Sequence, residues 1–159
     1  LVLLQELHIQ NLAVIQDITV ELHPELNCFT GQTGAGKSLV IGALEVLLGL
    51  RQATDMLRKG AAEGRVTGVF RVASRNLREQ IAGATDLPLD DEPELIIVRR
   101  LYESGRTSSS LNGHPITGAM LKQVGEILVD VQEGIPENVV RIVSENCNTL
   151  KFKSHDFEE

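Results

Sequence analysis

One glycine-rich segment combines residue types that could bind a phosphate group. It fits the pattern G-x-x-x-x-G-K-[ST] and reads Gly31, Gln32, Thr33, Gly34, Ala35, Gly36, Lys37, Ser38. Its glycines let the backbone wrap closely around phosphate oxygens, with consecutive N–H groups pointing inward. Lys37 would place a cation between the β- and γ-phosphates, and Ser38 would offer its hydroxyl to Mg²⁺. The segment predicts a site for a nucleoside triphosphate with its Mg²⁺.

The elements predicted on either side are those that a phosphate-binding loop requires. Residues 26–30 are predicted to form a short apolar strand that leads into the loop. Residues 39–48 are apolar on nearly every face, which predicts a buried helix ending at Gly49. Because this helix begins near Lys37, the positive end of its dipole adds to the attraction for phosphate. The alternative is a glycine-rich turn that matches the pattern by chance. The strand predicted before the segment and the helix predicted after it make this alternative less plausible. The pattern specifies neither the base nor hydrolysis.

Hydrolysis needs an acidic partner for Mg²⁺ and a group that orients the attacking water. Asp130 follows an apolar run, as in a Walker B site, although an Asp in a turn at a strand end is the plainer interpretation. Gln132 lies just beyond and could bridge Mg²⁺ and water, or be an ordinary surface glutamine. Five arginines could reach phosphate or DNA, although each alone is more often a solvated charge: Arg51, Arg58, Arg99, Arg100 and Arg106.

The remaining hydrophobic patterns predict one α/β unit without internal repeats. Residues 1–22 alternate apolar and polar positions, which predicts two antiparallel strands joined at Gln10 and Asn11. Asn112 and Gly113 are a strong two-residue turn signal. The other predicted elements are a strand at 63–72, a helix capped by Ser74 and ending near Ala82, a hairpin of 95–102 and 108–116 around residues 104–106, a helix from Thr117 with Met120, Leu121, Val124 and Ile127 inward, a strand at 128–131 and a helix at 136–146.

Composition and charge limit the functional classes to which this chain can belong. The 159 residues carry a formal net charge of −7, and five acids between residues 86 and 94 account for most of it. Such an acidic chain does not favour free-standing, nonspecific binding to nucleic acid. Only 3% of the residues are aromatic, so a base-stacking platform has little support. Two distant cysteines, Cys28 and Cys147, suit a reduced cytoplasmic protein, and no apolar run is long enough to span a membrane.

Several segments resemble the RecN family of bacterial DNA repair proteins, which are SMC-like ATPases. The resemblance is carried by the run at residues 7–15, by the phosphate-binding loop with its strand, and by Leu-Asn-Gly and Leu-Val-Asp segments at 111–113 and 128–130. It implies a P-loop NTPase fold of ABC/SMC type with a mixed sheet and antiparallel strand hairpins. Residues 1–135 would be the N-terminal lobe of the ATPase head, and residues 136–159 a divergent C-terminal helix or tail.

The resemblance also implies ligands and partners. ATP and Mg²⁺ would be bound, and the partner would be the C-terminal lobe of the same family or a second head in a homodimer. DNA would be reached indirectly through the full-length assembly, in the cytoplasm at the nucleoid, with no membrane involved. In this family the Walker B acid and the signature segment belong to the C-terminal lobe. Asp130 then lies on the strand before the Q-loop, and Gln132 is a displaced Q-loop glutamine.

The chain departs from the family after residue 131, and from Pro136 onward we find neither resemblance nor a sustained heptad repeat. We therefore expect a truncated or frame-shifted relative, or a fragment, that binds ATP and Mg²⁺ and alone hydrolyses ATP weakly or not at all. No catalytic residue is assigned. Two alternatives stay open: a complete small P-loop NTPase or kinase with Asp130 as the Walker B acid, and a non-catalytic chain that only folds or associates.

Overall fold

The computed structural model describes residues 2–21, 35–53, 55–89 and 93–128. For residues 35–38 it describes the backbone only. Strands and helices are interspersed along the described chain, in agreement with the predicted α/β class. In chain order the elements are β1 Val2–Leu12, β2 Ile15–Glu21, α1 Ala35–Leu47, β3 Glu63–Val72, α2 Arg75–Thr85, β4 Glu94–Tyr102, β5 Thr107–Leu111, β6 His114–Ile116 and α3 Gly118–Leu128.

The six strands form one sheet in the order β2-β1-β3-β4-β5-β6, and each neighbouring pair is antiparallel. Strand β3 shows how the two faces differ. Val66, Phe70 and Val72 are fully buried on one face, which we call the inner face, whereas Arg65 and Arg71 lie on the other, the outer face. The antiparallel hairpins of the predicted mixed sheet are thus present, and the strand predicted at 26–30 lies outside the described residues.

The described helices cover the inner face of the sheet. Helix α1 packs on β1, β3 and β4, and α2 packs against α3. The core side chains are all aliphatic apart from one phenylalanine and one methionine, as the low aromatic content requires. Helix α2 begins at its predicted cap, where the Ser74 hydroxyl accepts a bond of 3.3 Å from the Leu77 amide. Helix α3 likewise begins after Thr117, whose hydroxyl accepts from the Met120 amide.

The first hairpin turns three residues later than predicted. Strand β1 continues through Asn11 to Leu12, and the turn is at residues 13 and 14. The reason is a distant segment that pairs with the end of β1: Ala13 N donates to the Met56 carbonyl at 2.7 Å, and Leu12 bridges to Leu57. These contacts extend the ladder past the polar pair Gln10 and Asn11, although Asn11 has a positive φ of 52°.

Two helices also end later than predicted. Helix α2 continues past Ala82 to Thr85, because Ile81 and Thr85 extend its buried face and Asp86 provides a left-handed C-cap. Leu128, predicted to open a strand, is the last residue of α3 and is buried with Leu121. The rest of that predicted strand, the helix at 136–146 and the domain boundary at 135 lie outside the described residues. The strand at 63–72 and the hairpin of β4 and β5 are confirmed.

Candidate nucleotide-binding site

The first turn of α1 is the described part of the predicted phosphate-binding loop. Residues 35–38 are helical, and residues 31–34 lie outside the described residues. The first four N–H groups of a helix have no partner inside it, and together with the helix dipole they attract anions. No acidic residue occupies this turn. The backbone at 35–38 therefore has the polarity that a phosphate group requires.

Packing against the sheet fixes the axis of α1. Val40, Leu44 and Leu47 are nearly or fully buried on its sheet-facing side. A methyl group at Gly68 of β3 would collide with the side chain of Leu47, so the absence of a side chain there lets the helix approach the strand closely. Packing on the sheet thus sets the direction in which the N-terminus of α1 points.

A half-buried arginine contacts the other end of α1. Arg99 of β4 donates through Nη1 to the Val46 carbonyl at 2.7 Å and has a longer contact of 3.5 Å to the Arg51 carbonyl. A cation at the C-terminal end of a helix is favourable, because the free carbonyls there carry partial negative charge. Burial lowers the pKa of Arg99 through desolvation, and its Nε has no hydrogen-bond partner among the described residues.

Helix α3 packs against the turn that follows α1. Gly49 has a φ of 69°, and its amide bonds back to the Val46 carbonyl, so it ends the helix as predicted. A methyl group at Gly125 of α3 would overlap the carbonyl of Leu48. The glycine therefore lets the two segments meet backbone to backbone. The sequence analysis did not single out Gly68 or Gly125. The available signal was a glycine at a position where the surrounding pattern predicts a buried apolar side chain.

The candidate arginines divide between structural and exposed positions. Arg58 donates from its backbone to Asn11 and from its side chain to Val14, so it supports the first hairpin. Arg51 lies beside Gly42 on α1. Arg100 forms an ion pair with Glu63 on the outer face, and Arg106 is exposed in the turn between β4 and β5.

The remaining predicted site residues are not placed. Asp130 and Gln132 lie outside the described residues, as do Gly31, Gln32, Thr33 and Gly34. Within residues 2–21, 35–53, 55–89 and 93–128, no group of His, Cys, Asp or Glu is arranged to hold a metal ion. None of the three described helices is long and apolar enough to cross a membrane. The described backbone of the loop is consistent with phosphate binding, and the assignment of its side chains stays a prediction.

Comparisons with known proteins agree with the resemblance found in the sequence up to residue 131. Two of them continue past Pro136, so the expectation of no resemblance from that residue onward is wrong. The family model described as "AAA domain" (AAA_23) matches residues 6–148. The DNA repair protein RecN of Bacillus subtilis is 33% identical over 98% of this chain and 27% of its own length. RecN of Streptomyces coelicolor is 38% identical over 79% of this chain and 22% of its own length. The chain therefore spans about a quarter of these relatives.

Solved structures show the same fold. One, described as "Structural biochemistry of ATP-driven dimerization and DNA stimulated activation of SMC ATPases", aligns with a TM-score of 0.65, 19% identity and coverage of 88% of this chain and 90% of the other. The SMC head domain from Thermotoga maritima aligns with a TM-score of 0.58 and 19% identity over 85% of this chain and 44% of its own. The predicted fold class and the resemblance to the N-terminal head lobe of RecN are confirmed.

Proposed function

Because the AAA domain model matches residues 6–148, this chain belongs to the AAA domain family, and we propose that it is the ATP-binding lobe of a RecN-like DNA repair ATPase. The observation that carries the proposal is the complete G-x-x-x-x-G-K-[ST] pattern, whose last four residues begin α1. The relatives named DNA repair protein RecN support the repair role.

In this proposal the loop holds ATP together with Mg²⁺. The glycines Gly31, Gly34 and Gly36 keep the backbone close to the phosphates, and the intervening residues contribute N–H groups. Lys37 neutralises the β- and γ-phosphates, and Ser38 is a ligand of Mg²⁺. When bound, Mg²⁺ neutralises charge on the phosphate oxygens. Gln132 would contact Mg²⁺ or the attacking water.

Hydrolysis is proposed to need a second lobe. The signature segment and the Walker B acid are expected on the C-terminal lobe of the family, supplied by a longer chain or by a second head. A solved structure with this fold is described as showing ATP-driven dimerization of SMC ATPases, which supports a partner head. DNA would be reached indirectly through the full-length assembly, in the cytoplasm at the nucleoid.

A binding measurement tests the loop. The full chain is titrated with a fluorescent ATP analogue and Mg²⁺, and Lys37→Ala is compared with Lys59→Ala, which removes an exposed lysine after the loop–helix unit. A hydrogen bond to a charged group contributes about 1.5–3 kcal/mol, so Lys37→Ala should weaken binding roughly 10- to 150-fold. Lys59→Ala should bind as the unchanged chain does. Equal affinity for all three would show that the loop is not the site.

A turnover measurement separates the proposal from the small-enzyme alternative. Steady ATP hydrolysis by the isolated chain should be weak or absent, and mixing with a separately produced C-terminal lobe of a RecN protein should raise it. Strong hydrolysis by the chain alone that is abolished by Asp130→Asn would instead favour a complete P-loop NTPase or kinase.

A further inference from the structure

Strand β2 forms one edge of the six-stranded sheet. It runs for seven residues, Ile15–Glu21, with the sequence IQDITVE. Among the described strands none lies beside it on the side away from β1. Edge strands that resist further pairing are usually very short or carry proline, lysine or a bulge. Strand β2 contains neither proline nor lysine, and its register with β1 is regular, so this edge has the form of one that accepts another strand.

The opposite edge of the sheet is built differently. Strand β6 is only three residues long, and it contains Pro115, whose nitrogen has no hydrogen to donate. A short edge strand with a proline is a common protection against further pairing. The contrast indicates that an added strand would pair with β2 and not with β6.

The two faces of β2 define the chemistry of a strand that fits beside it. On the inner face Ile18 and Val20 are buried, so the incoming strand should carry apolar side chains on that side. The outer face carries Asp17 and Glu21, and Glu21 lies directly opposite Glu6 of β1. Like charges directly opposite each other are unfavourable, and a basic side chain beside them would offset part of that cost. A matching strand therefore alternates apolar and basic residues.

Asp17 can accept a contact from such a strand. Its side chain is 59% exposed, and one carboxylate oxygen lies 2.6 Å from Nε2 of His8. An ionised carboxylate has two oxygens and accepts several hydrogen bonds, so the contact with His8 does not exhaust it. A lysine on the neighbouring strand would meet a carboxylate that is already oriented.

One segment of this chain has the required alternation. Residues 150–153 are Leu150, Lys151, Phe152 and Lys153. Apolar and basic side chains thus alternate with the period of a strand. The strand predicted at 26–30 is the rival within this chain, but it carries no basic residue and leads into the phosphate-binding loop. Charge complementarity therefore favours residues 150–153.

The length of chain before this segment allows it to reach β2. The described chain ends at Leu128 of α3, a helix that packs against α2 and β5. From β5 to a position outside β2 is five strand spacings in the observed order, about 24 Å. Residues 129–149, if extended, would span as much as about 70 Å. The segment can therefore cross the sheet even if part of this connection is helical.

We propose that residues 150–153 pair with the edge of β2 as a further strand of the sheet. Leu150 and Phe152 would lie on the inner side. Lys151 and Lys153 would lie on the outer side, beside the acids of β2. The pairing satisfies backbone groups of β2 and reduces the repulsion between acids on its outer face. It goes beyond the proposed function and does not depend on ATP binding at the loop.

The test measures hydrogen exchange by NMR in the full chain, at the β2 amides that face away from β1. Lys151→Glu/Lys153→Glu reverses the proposed charges and keeps the apolar residues. Lys59→Glu/Lys122→Glu is the matched control, because both lysines are exposed and the net charge changes by the same amount. Loss of a backbone hydrogen bond should accelerate exchange roughly 2- to 13-fold in the first variant. Exchange in the control should be unchanged.

A compensating substitution tests the charge contact itself. Asp17→Lys in the unchanged chain should accelerate exchange at the same amides. Added to Lys151→Glu/Lys153→Glu, it should restore part of their protection, because the charges across the new pair are then opposite again. Additive losses in the combined variant would contradict a contact between Asp17 and the two lysines.

The other outcomes also decide the proposal. Protection of these amides in the unchanged chain that only Lys151→Glu/Lys153→Glu reduces would support it. Rapid exchange of the same amides in the unchanged chain would overturn it. Protection retained by both double variants would also overturn it, and would indicate residues 26–30 or another strand at this edge. Protection that rises with protein concentration would show that the added strand comes from a second copy, against pairing within one chain.

Discussion

The contact between α3 and the end of α1 depends on one glycine, and its replacement makes a sharp prediction. A Cβ on Gly125 would overlap the carbonyl of Leu48, well inside the 3.0 Å below which real Cβ contacts essentially never fall. The obstacle is backbone, so no side-chain rotation can relieve it. In Gly125→Ala, α3 must move away from the turn at Leu48 and Gly49 and lose part of its packing.

The expected change in the free energy of unfolding of Gly125→Ala is the difference between two opposed effects. Forcing extra atoms into a packed core costs about 1–3 kcal/mol, and a rigid backbone obstacle places this case near ~3 kcal/mol. Alanine in a helix is more favourable than glycine by about 1 kcal/mol. The free energy of unfolding should therefore fall by about 2 kcal/mol. With a urea dependence of ~1–3 kcal/mol/M, the unfolding midpoint should fall by roughly 1 M.

The matched control is a glycine in a neighbouring helix. Gly83 lies in α2, is exposed, and has no atom within 4 Å of a Cβ added to it. Gly83→Ala should therefore stabilise the chain by about 0.5–1 kcal/mol, because only the helix preference changes. Hydrogen exchange should accelerate in α3 of Gly125→Ala more than in β3. If Gly125→Ala and Gly83→Ala had the same urea midpoint, the packing of α3 against Leu48 would be refuted.

Three other contacts give smaller predicted effects. Arg99→Met removes the bond to the Val46 carbonyl and should lower the free energy of unfolding in urea by about 1–2 kcal/mol; an unchanged midpoint would show the bond to be dispensable. Ser74→Ala should cost about 1 kcal/mol in thermal unfolding and Ser74→Gly only a few tenths, and equal losses would argue against capping. Asn112→Ala loses a bond from the Ile96 amide and must hold a φ of 48°, so a loss of about 1–2 kcal/mol is expected in urea, and none would contradict this role.

Local signals were sufficient for much of the sheet. Strand β3 has the predicted bounds, because buried and more exposed positions alternate without interruption from residue 63 to 72. The turn at Asn112 and Gly113 is as predicted, since both residues accept the positive φ that a two-residue hairpin requires. The phosphate-binding pattern was also local, because its chemistry comes from eight consecutive residues.

Long-range contacts explain what the sequence did not predict. The position of the first turn depends on Met56 and Leu57, more than forty residues after β1. Leu128 was assigned to a strand because a short apolar run, residues 127–129, fits either element. Only the packing of α3 shows that Leu128 continues the helical spacing set by Leu121 and Val124. Likewise Gln10, Arg65 and Arg100 come from three strands, so no single segment of the sequence shows that they are neighbours.

The register that buries the core also decides which polar side chains meet on the outer face of the sheet. In β3 a side chain changes face at every residue, so a shift by one position would exchange the inner and outer faces. Gly68 must face α1 for that helix to approach, and Phe70 must be buried beside it. The same register then places Arg65 between Gln10 and Arg100. The burial of the inner face therefore holds two arginines side by side against their repulsion.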